Sequence, residues 1–473
     1  MKTELKPLTK MATDTQQLHL VMFPWFAFGH ISPFVQLSNK LAVDGVKVSF
    51  FSAPGNIPRI KSSLKLTPMA EIIPLQIPHI DGLPPDIDST SEISPAMAEL
   101  LKQASDLMQP QIETILSKLK PHFVVFDFAQ HWMPQLCSKL GIKTLRFSVF
   151  SAISGAYVMV PARGTNPTID DLMNLPKGLS VTSNITLKEF QARDFLYVFK
   201  NFHGKPSVYE RDLESLHNCT AIVNKTCNEM EGAYLDYKKT QFQKPVLLTG
   251  PLVNPRPEPA SGELEERWAK WLSKFPAKSV VFCSFGSETF LSNDQIKELA
   301  LGLELTGLPF LLVLNFPANV VAANELVRAL PQGFVNRVRD RGLVHTGWVQ
   351  QRLILAHDSV GCYVSHSGFS SVMEAIVDDC QLVLLPFKGD QFLNSKLIAC
   401  DMNAGVEVNR RDDDGHFGKD DIFEAVKTVM VDVNKEPSVS IRANQKYWRE
   451  FLLNEKIQDK FIADFIQELK ALA

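Results

Sequence analysis

The sequence has no apolar run approaching the roughly 20 residues that a membrane-spanning helix needs, so no membrane insertion is expected. It has no charge excess of either sign. Its 49 basic and 52 acidic residues give a net charge of −3, too balanced for a nucleic-acid or anionic-membrane binder. It has no C-x-x-C pair. Its seven cysteines (Cys137, Cys219, Cys227, Cys283, Cys362, Cys380 and Cys400) are odd in number and dispersed, the pattern of free thiols in a reducing compartment. No His/Cys/carboxylate set has zinc spacing. Asp86-x-Asp88 and Asp412-Asp413-Asp414 lie in polar loops without strand-end context and read as solvated turns, so no metal is expected. A G-x-G-x-x-G turn is missing after the first apolar run, where FAFGHISP stands. That argues against a dinucleotide-dependent oxidoreductase. The opening MKTELKPLTKMATDTQQ is polar rather than a secretory signal. The cytoplasm is therefore the expected compartment, and the N-x-[ST] triplets at Asn184, Asn218 and Asn224 read as chance matches.

What the chain does have is alternation, and at 473 residues it is long enough for two full cores. Residues 1–17 read as disordered. Leu18–Pro24 reads as a buried strand, followed by a helix with Pro33 in its first turn, where proline is tolerated. That places His30 at the junction of the two. Strands follow at Val46–Ser52, Glu71–Ile77, Phe123–Asp127 and Thr144–Val149, with helices between them. This is the pattern of a parallel, doubly wound sheet. Phe195, Tyr197, Phe199 and Phe202 cluster in RDFLYVFKNF. They read as core packing, with one wall of an apolar pocket as the alternative. After strands at Cys219–Asn224 and Pro245–Thr249, GPLVNPRPEPASGE reads as an interdomain linker. A second alternation then begins: strand Ser279–Phe285, a helix from Ser292, and strands Phe310–Leu314, Leu343–His345 and Gly361–Ser365. The last segment, from Lys446, is amphipathic helix.

The densest chemistry lies between Trp348 and Gln391. A strand ending at Ser365, a turn of His366, Ser367 and Gly368, and a helix opening at Phe369 bring unpaired N–H groups and a positive dipole end to one spot. Such a spot attracts phosphate. Ser370, Ser371 and the His366 ring can add donors, and Glu374, one turn on, can accept from ribose hydroxyls. Taken alone, HSGFSS also fits an ordinary βα unit with a satisfied histidine.

The flanks GWVQQRLILAH and LLPFKGDQ decide between these readings. With Trp348, Gln351, His357, His366, Gly368, Ser371, Glu374, Pro386, Asp390 and Gln391 in register, the stretch resembles the nucleotide-sugar signature of plant family 1 UDP-dependent glycosyltransferases of the GT-B type. That resemblance implies an α/β fold of two Rossmann-like βαβ domains facing a cleft. It implies that Trp348 stacks on uracil and the Val349 backbone reads the base edge. Gln351 and Glu374 would hold ribose, His366, Ser370 and Ser371 the diphosphate, and Asp390 and Gln391 the donor sugar. Gly368 makes the turn, and Ser287 in FCSFGSE matches a phosphate-contacting position. The family usually has Trp where Phe369 stands and Asn where Ser370 stands. Phe369 keeps an aromatic wall but lacks the indole donor.

FPWFAFGHISP and VVFDFA match the family's catalytic-histidine and orienting-aspartate segments, which makes His30 the expected base and Asp127 its partner. The implied reaction is inverting and metal-free, with UDP-sugar as co-substrate and no cofactor. The implied units are an acceptor-binding lobe at 18–248, a linker at 249–262, a UDP-sugar-binding lobe at 263–445, and helices 446–473 packing back on the first lobe through Phe461, Phe465 and Leu469. Phe369, PWFAFGH and the DGLPP loop resemble the branch that extends flavonoid or anthocyanin 3-O-glycosides. A terpenoid or saponin glycoside is the near alternative as acceptor. The donor sugar stays open among glucose, xylose and rhamnose, and a monomer is expected. A non-catalytic UDP-sugar binder is the competing class, and the presence of both His30 and Asp127 argues against it.

Overall fold

Runs such as FVVF and VVFCS are rich in β-branched and aromatic residues and are buried at every position. Such strands need cover on both faces, which parallel sheets flanked by helices supply. The computed structural model describes residues 17–85, 87–90, 93–183, 185–253, 262–286, 289–317 and 320–473. Among them are β1 (His19–Phe23), β2 (Lys47–Ser52), β3 (Ala70–Pro74), β4 (Phe123–Phe126), β5 (Lys143–Ser148), β6 (Ala221–Asn224) and β7 (Val246–Leu248). They form one parallel sheet in the order β3-β2-β1-β4-β5-β6-β7. A second parallel sheet has the order β10-β9-β8-β11-β12-β13. Its strands are β8 (Val280–Ser284), β9 (Phe310–Leu314), β10 (Gly342–Thr346), β11 (Val360–Ser365), β12 (Gln381–Leu384) and β13 (Val406–Glu407). β12 and β13 fall outside the strands expected from the sequence.

In the first sheet the order reverses between β1 and β4, and in the second between β8 and β11. Open α/β sheets hold ligands in the crevice beyond such a reversal, at the strand C-termini. His30 follows β1 and Asp127 follows β4, whereas Gly286 follows β8 and His366 follows β11.

Strand periodicity sorts the core. Leu20 and Met22 face an outer cluster beneath the helix Phe28–Val43, while Val21 and Phe23 join a cluster that runs through both lobes to Phe282, Tyr363, Phe369 and Trp448. Val281, Cys283, Cys362 and Val364 face a third cluster on the outer side of the second sheet.

Pro33 departs from expectation. The helix begins at Phe28, capped at Ala27, whose carbonyl accepts from the His30 and Ile31 amides at 2.8 Å. Pro33 thus lies in the second turn, where it leaves the Gly29 carbonyl without its helical donor, and His30 is the third helical residue rather than a junction residue.

At the other end, the helix Ser438–Leu453 is tied to the second lobe. Arg449 Nε donates to the Val377 carbonyl at 3.0 Å and Trp448 Nε1 to that of Met402 at 3.3 Å. The next helix, Glu455–Leu472, lies on the first lobe, with Ile462, Phe465, Ile466 and Leu469 in the same cluster as Leu20 and Phe34. Phe461 packs over Gly250, so the chain crosses back at Asn454.

Candidate active site

The half that carries His30 is built on the β1–β4 reversal. Asp127 is fully buried one residue past β4. It accepts from His30 Nδ1 at 2.7 Å, from the Trp25 amide at 3.2 Å and from the Phe128 amide at 2.8 Å. Arg146, buried within β5, stands 3.7 Å from its other oxygen and is itself anchored on Asp212 at 2.8 Å. Burial alone would raise the Asp127 carboxyl. His30, Arg146 and the Phe128 amide outweigh it and hold the group below the usual carboxylate range. Because a carboxylate only accepts, Nδ1 carries the ring hydrogen and Nε2 presents its lone pair. The ring is clamped between Phe128 and Phe150, with centroids at 5.5 and 5.1 Å.

The opposite half is built on the β8–β11 reversal. Ser367, at φ 67, makes the turn into the helix Phe369–Val377, and its amide donates to Ser365 Oγ at 3.1 Å. The His366 ring fits a slot framed by two glycines. A Cβ on Gly286 would lie 3.0 Å from its Nε2, and one on Gly368 would lie 2.7 Å away. Burial, with Lys388 adding to it, pushes His366 down to about 4, so the ring is neutral at pH 7. Gln351 opens the helix Gln351–Leu355. It donates to Ser371 Oγ at 3.2 Å and accepts from the Tyr363 hydroxyl at 3.1 Å. Burial raises Glu374 against the pull of Arg352 and Lys225. Trp348 is 69% exposed while Val349 is buried, leaving the indole open to solvent three residues before Gln351, which bonds the helix tip at Ser371.

Asp390 and Gln391 start the helix Asp390–Lys396. Asp390 accepts from Asn394 at 2.9 Å. Burial raises it, and Asn394, His30 and Lys388 oppose the rise. His30 thus acts on Asp390 through its field, from the other lobe. Gln391 turns its carbonyl onto the Phe387 and Lys388 amides at 3.1 and 3.3 Å, bracing its own loop. Phe369 is buried within the interlobe core. Ser287 and Asp86 lie outside the described residues. Among the described residues no cluster of His, Cys, Asp and Glu could hold a metal, and Asp412 and Asp414 pair with Lys188 and Arg411. Also among the described residues, no helix is long and apolar enough to cross a membrane.

Sequence reasoning missed three contributors. Arg146 steadies Asp127, and an arginine inside the buried run TLRFS was the available signal. Ser151 donates to Asn394 Oδ1 at 2.6 Å across the lobes. Lys225, one residue past β6, donates to Ser370 Oγ at 2.6 Å.

The family described as UDP-glucoronosyl and UDP-glucosyl transferase matches residues 259–441. Anthocyanidin-3-O-glucoside rhamnosyltransferase of Petunia hybrida is 59% identical over 468 residues, 98% of each chain. UDP-glycosyltransferase 79A6 of Glycine max is 58% identical over 98% of this chain and 100% of its own. The chain belongs to the plant UDP-glycosyltransferases. Its GT-B fold is that of a Glycyrrhiza uralensis glycosyltransferase crystallised with glycyrrhetinic acid 3-O-monoglucuronide. The two superpose with a TM-score of 0.77 over 96% of each chain at 21% identity. In this glycosyltransferase, then, the His30–Asp127 pair sits on the first lobe and the Phe369 helix tip on the second, and one apolar core runs between the lobes.

Proposed function

We propose that this glycosyltransferase moves a sugar, with inversion, from a UDP-sugar to a sugar hydroxyl of an anthocyanidin or flavonoid 3-O-glycoside. Rhamnose is the first donor sugar to test, because the Petunia relative is named for it. The observation that carries the reading is the dyad: an imidazole whose Nδ1 is held by a buried carboxylate at 2.7 Å, which leaves Nε2 as the acceptor.

His30 Nε2 takes the acceptor hydroxyl's proton as the oxygen attacks the anomeric carbon. Asp127 steadies the imidazolium that forms. The bond from the anomeric carbon to the phosphate oxygen breaks on the opposite face, and UDP leaves with both bonding electrons. The helix tip, Ser371 and Ser370 point donors at the charge that develops there. Trp348 stacks on uracil, Gln351 and Glu374 bind ribose, and Asp390 binds donor-sugar hydroxyls. A one-step displacement turns an α-linked donor into a β-linked product, and the descriptors reverse for rhamnose. No metal takes part, and the chain works as a monomer in the cytoplasm.

The test incubates UDP-rhamnose, UDP-glucose and UDP-xylose with anthocyanidin and flavonoid 3-O-glycosides, with EDTA present, and reads products by mass spectrometry. A product one sugar heavier is expected. Its absence from every pair, or transfer only to terpenoid glycosides, would overturn the acceptor assignment. His30→Ala should abolish transfer and leave UDP affinity unchanged.

A further inference from the structure

We propose that Lys225, contributed by the first lobe, binds the diphosphate of the sugar donor and neutralises the leaving group. The proposal rests on the reading of the helix tip as a UDP site. Lys225 extends from β6 and is 1% exposed. Its ammonium donates to Ser370 Oγ in the first turn of the helix Phe369–Val377 and lies 5.8 Å from the Phe369 ring centroid. Among the described residues, no carboxylate oxygen lies within the 4.0 Å of an ion pair with it. Glu374, one turn along the helix, is the anion that acts on it from a distance.

An ammonium has three hydrogens to donate, and here one neutral hydroxyl receives one of them. A buried charge in that position needs an anion. The surface it points to already favours one, through the helix dipole and the free amides of the first turn. Burial brings the Lys225 amine down to about 8 against the pull of Glu374. Lys238, also buried, comes down to about 8 as well, but its hydrogen bond goes to Asn224 Oδ1 at 2.6 Å inside its own lobe, whereas that of Lys225 goes to the helix tip on the other lobe. The geometry of that bond is what matches Lys225 to a ligand at the tip. Because it comes from the lobe opposite the helix tip, a bound diphosphate ties the two lobes together.

The experiment measures binding of uridine, UMP and UDP by titration calorimetry to the wild type, Lys225→Met and Lys225→Gln. Both variants remove a buried charge that lacks an ion pair, so their melting temperatures should hold or rise. UDP affinity should fall about tenfold or more, UMP less, and uridine less than twofold, since charge-assisted contacts are made to phosphate alone. UDP affinity within twofold of wild type in both variants would overturn the proposal. So would a lowered melting temperature with the UDP-to-uridine ratio unchanged, the mark of a structural lysine. If the wild type binds none of the three, the UDP site itself is wrong, whatever Lys225 does.

Discussion

Replacing Asp127 by Asn keeps the side chain's shape and removes its charge. In the wild type one oxygen takes both His30 Nδ1 and the Trp25 amide, and the other takes the Phe128 amide. An Asn must turn its NH2 toward one of these donors. If it keeps the Phe128 bond, it faces Nδ1 with N–H, forces the ring hydrogen to Nε2 and blocks the base. If it keeps Nδ1 as donor, the imidazolium formed in the reaction still loses its counter-charge. A hydrogen bond to a charged partner contributes about 1.5–3 kcal/mol, or roughly 10- to 100-fold in rate at 1.36 kcal/mol per decade. Tautomer inversion removes the general base, worth about 10²- to 10⁴-fold. The expected loss in kcat is therefore about 10²- to 10⁴-fold. UDP affinity should stay within about twofold, because the helix tip is a separate site with no shared partner. Arg146 keeps Asp212 at 2.8 Å, so the fold survives. The wild-type carboxyl is held below its usual range, so its contribution to stability is full above that range and is lost only on acidification through the lowered value. The Asn variant lacks that acid-side loss. Initial rates at saturating donor and UDP calorimetry on both proteins are the assay. A kcat within threefold of wild type would refute the dyad.

Trp348→Ala should weaken UDP and uridine equally, by about 5- to 150-fold, since stacking on a base is worth about 1–3 kcal/mol; equal affinity would remove the exposed indole from the site. Gly250 has φ +71, and a Cβ there would lie 2.6 Å from the Phe461 ring. Gly250→Ala should cost about 1–3 kcal/mol and lower the melting temperature, and an unchanged melting curve would contradict the packing. His19 is buried, with its Nε2 2.9 Å from Ser49 Oγ. Burial, with Lys47 and His122, moves it from 6.5 to about 4. The unfolded chain takes that proton first, so stability should fall as pH drops from 6.5 to about 4. His19→Gln should flatten that slope in thermal melts, and an identical slope would show that other groups set it.

The first sheet and four strands of the second were readable from apolar runs, because a buried strand is largely apolar, whereas β12 and the two-residue, half-buried β13 were not. The helix-tip site was readable because its parts are contiguous in the chain, from Trp348 to Gln391. The His30–Asp127 pair was harder. Its members stand 97 residues apart, and only the order of strands, which periodicity does not encode, brings them within 2.7 Å. Lys225 was invisible for the same reason. Nothing within NKTC announces a partner 145 residues away on the other lobe. Pro33 was misplaced because the first turn forms within FAFGH without a side-chain cap to mark it.

The return of the polypeptide at Asn454 means that two strands of chain, not one, join the halves of the molecule. No single proteolytic cut or stop codon yields two intact halves. Ending the chain after Leu453 would strip the helix bearing Phe465 and Leu469 from the first sheet and expose the apolar surface beneath it to water. Lys143 Nζ, which holds the Ala473 carbonyl at 2.9 Å, would lose its anchor too. Cutting the chain just after Gly250 would leave the halves tethered through that helix, so a nicked enzyme is expected to elute from a sizing column as one particle.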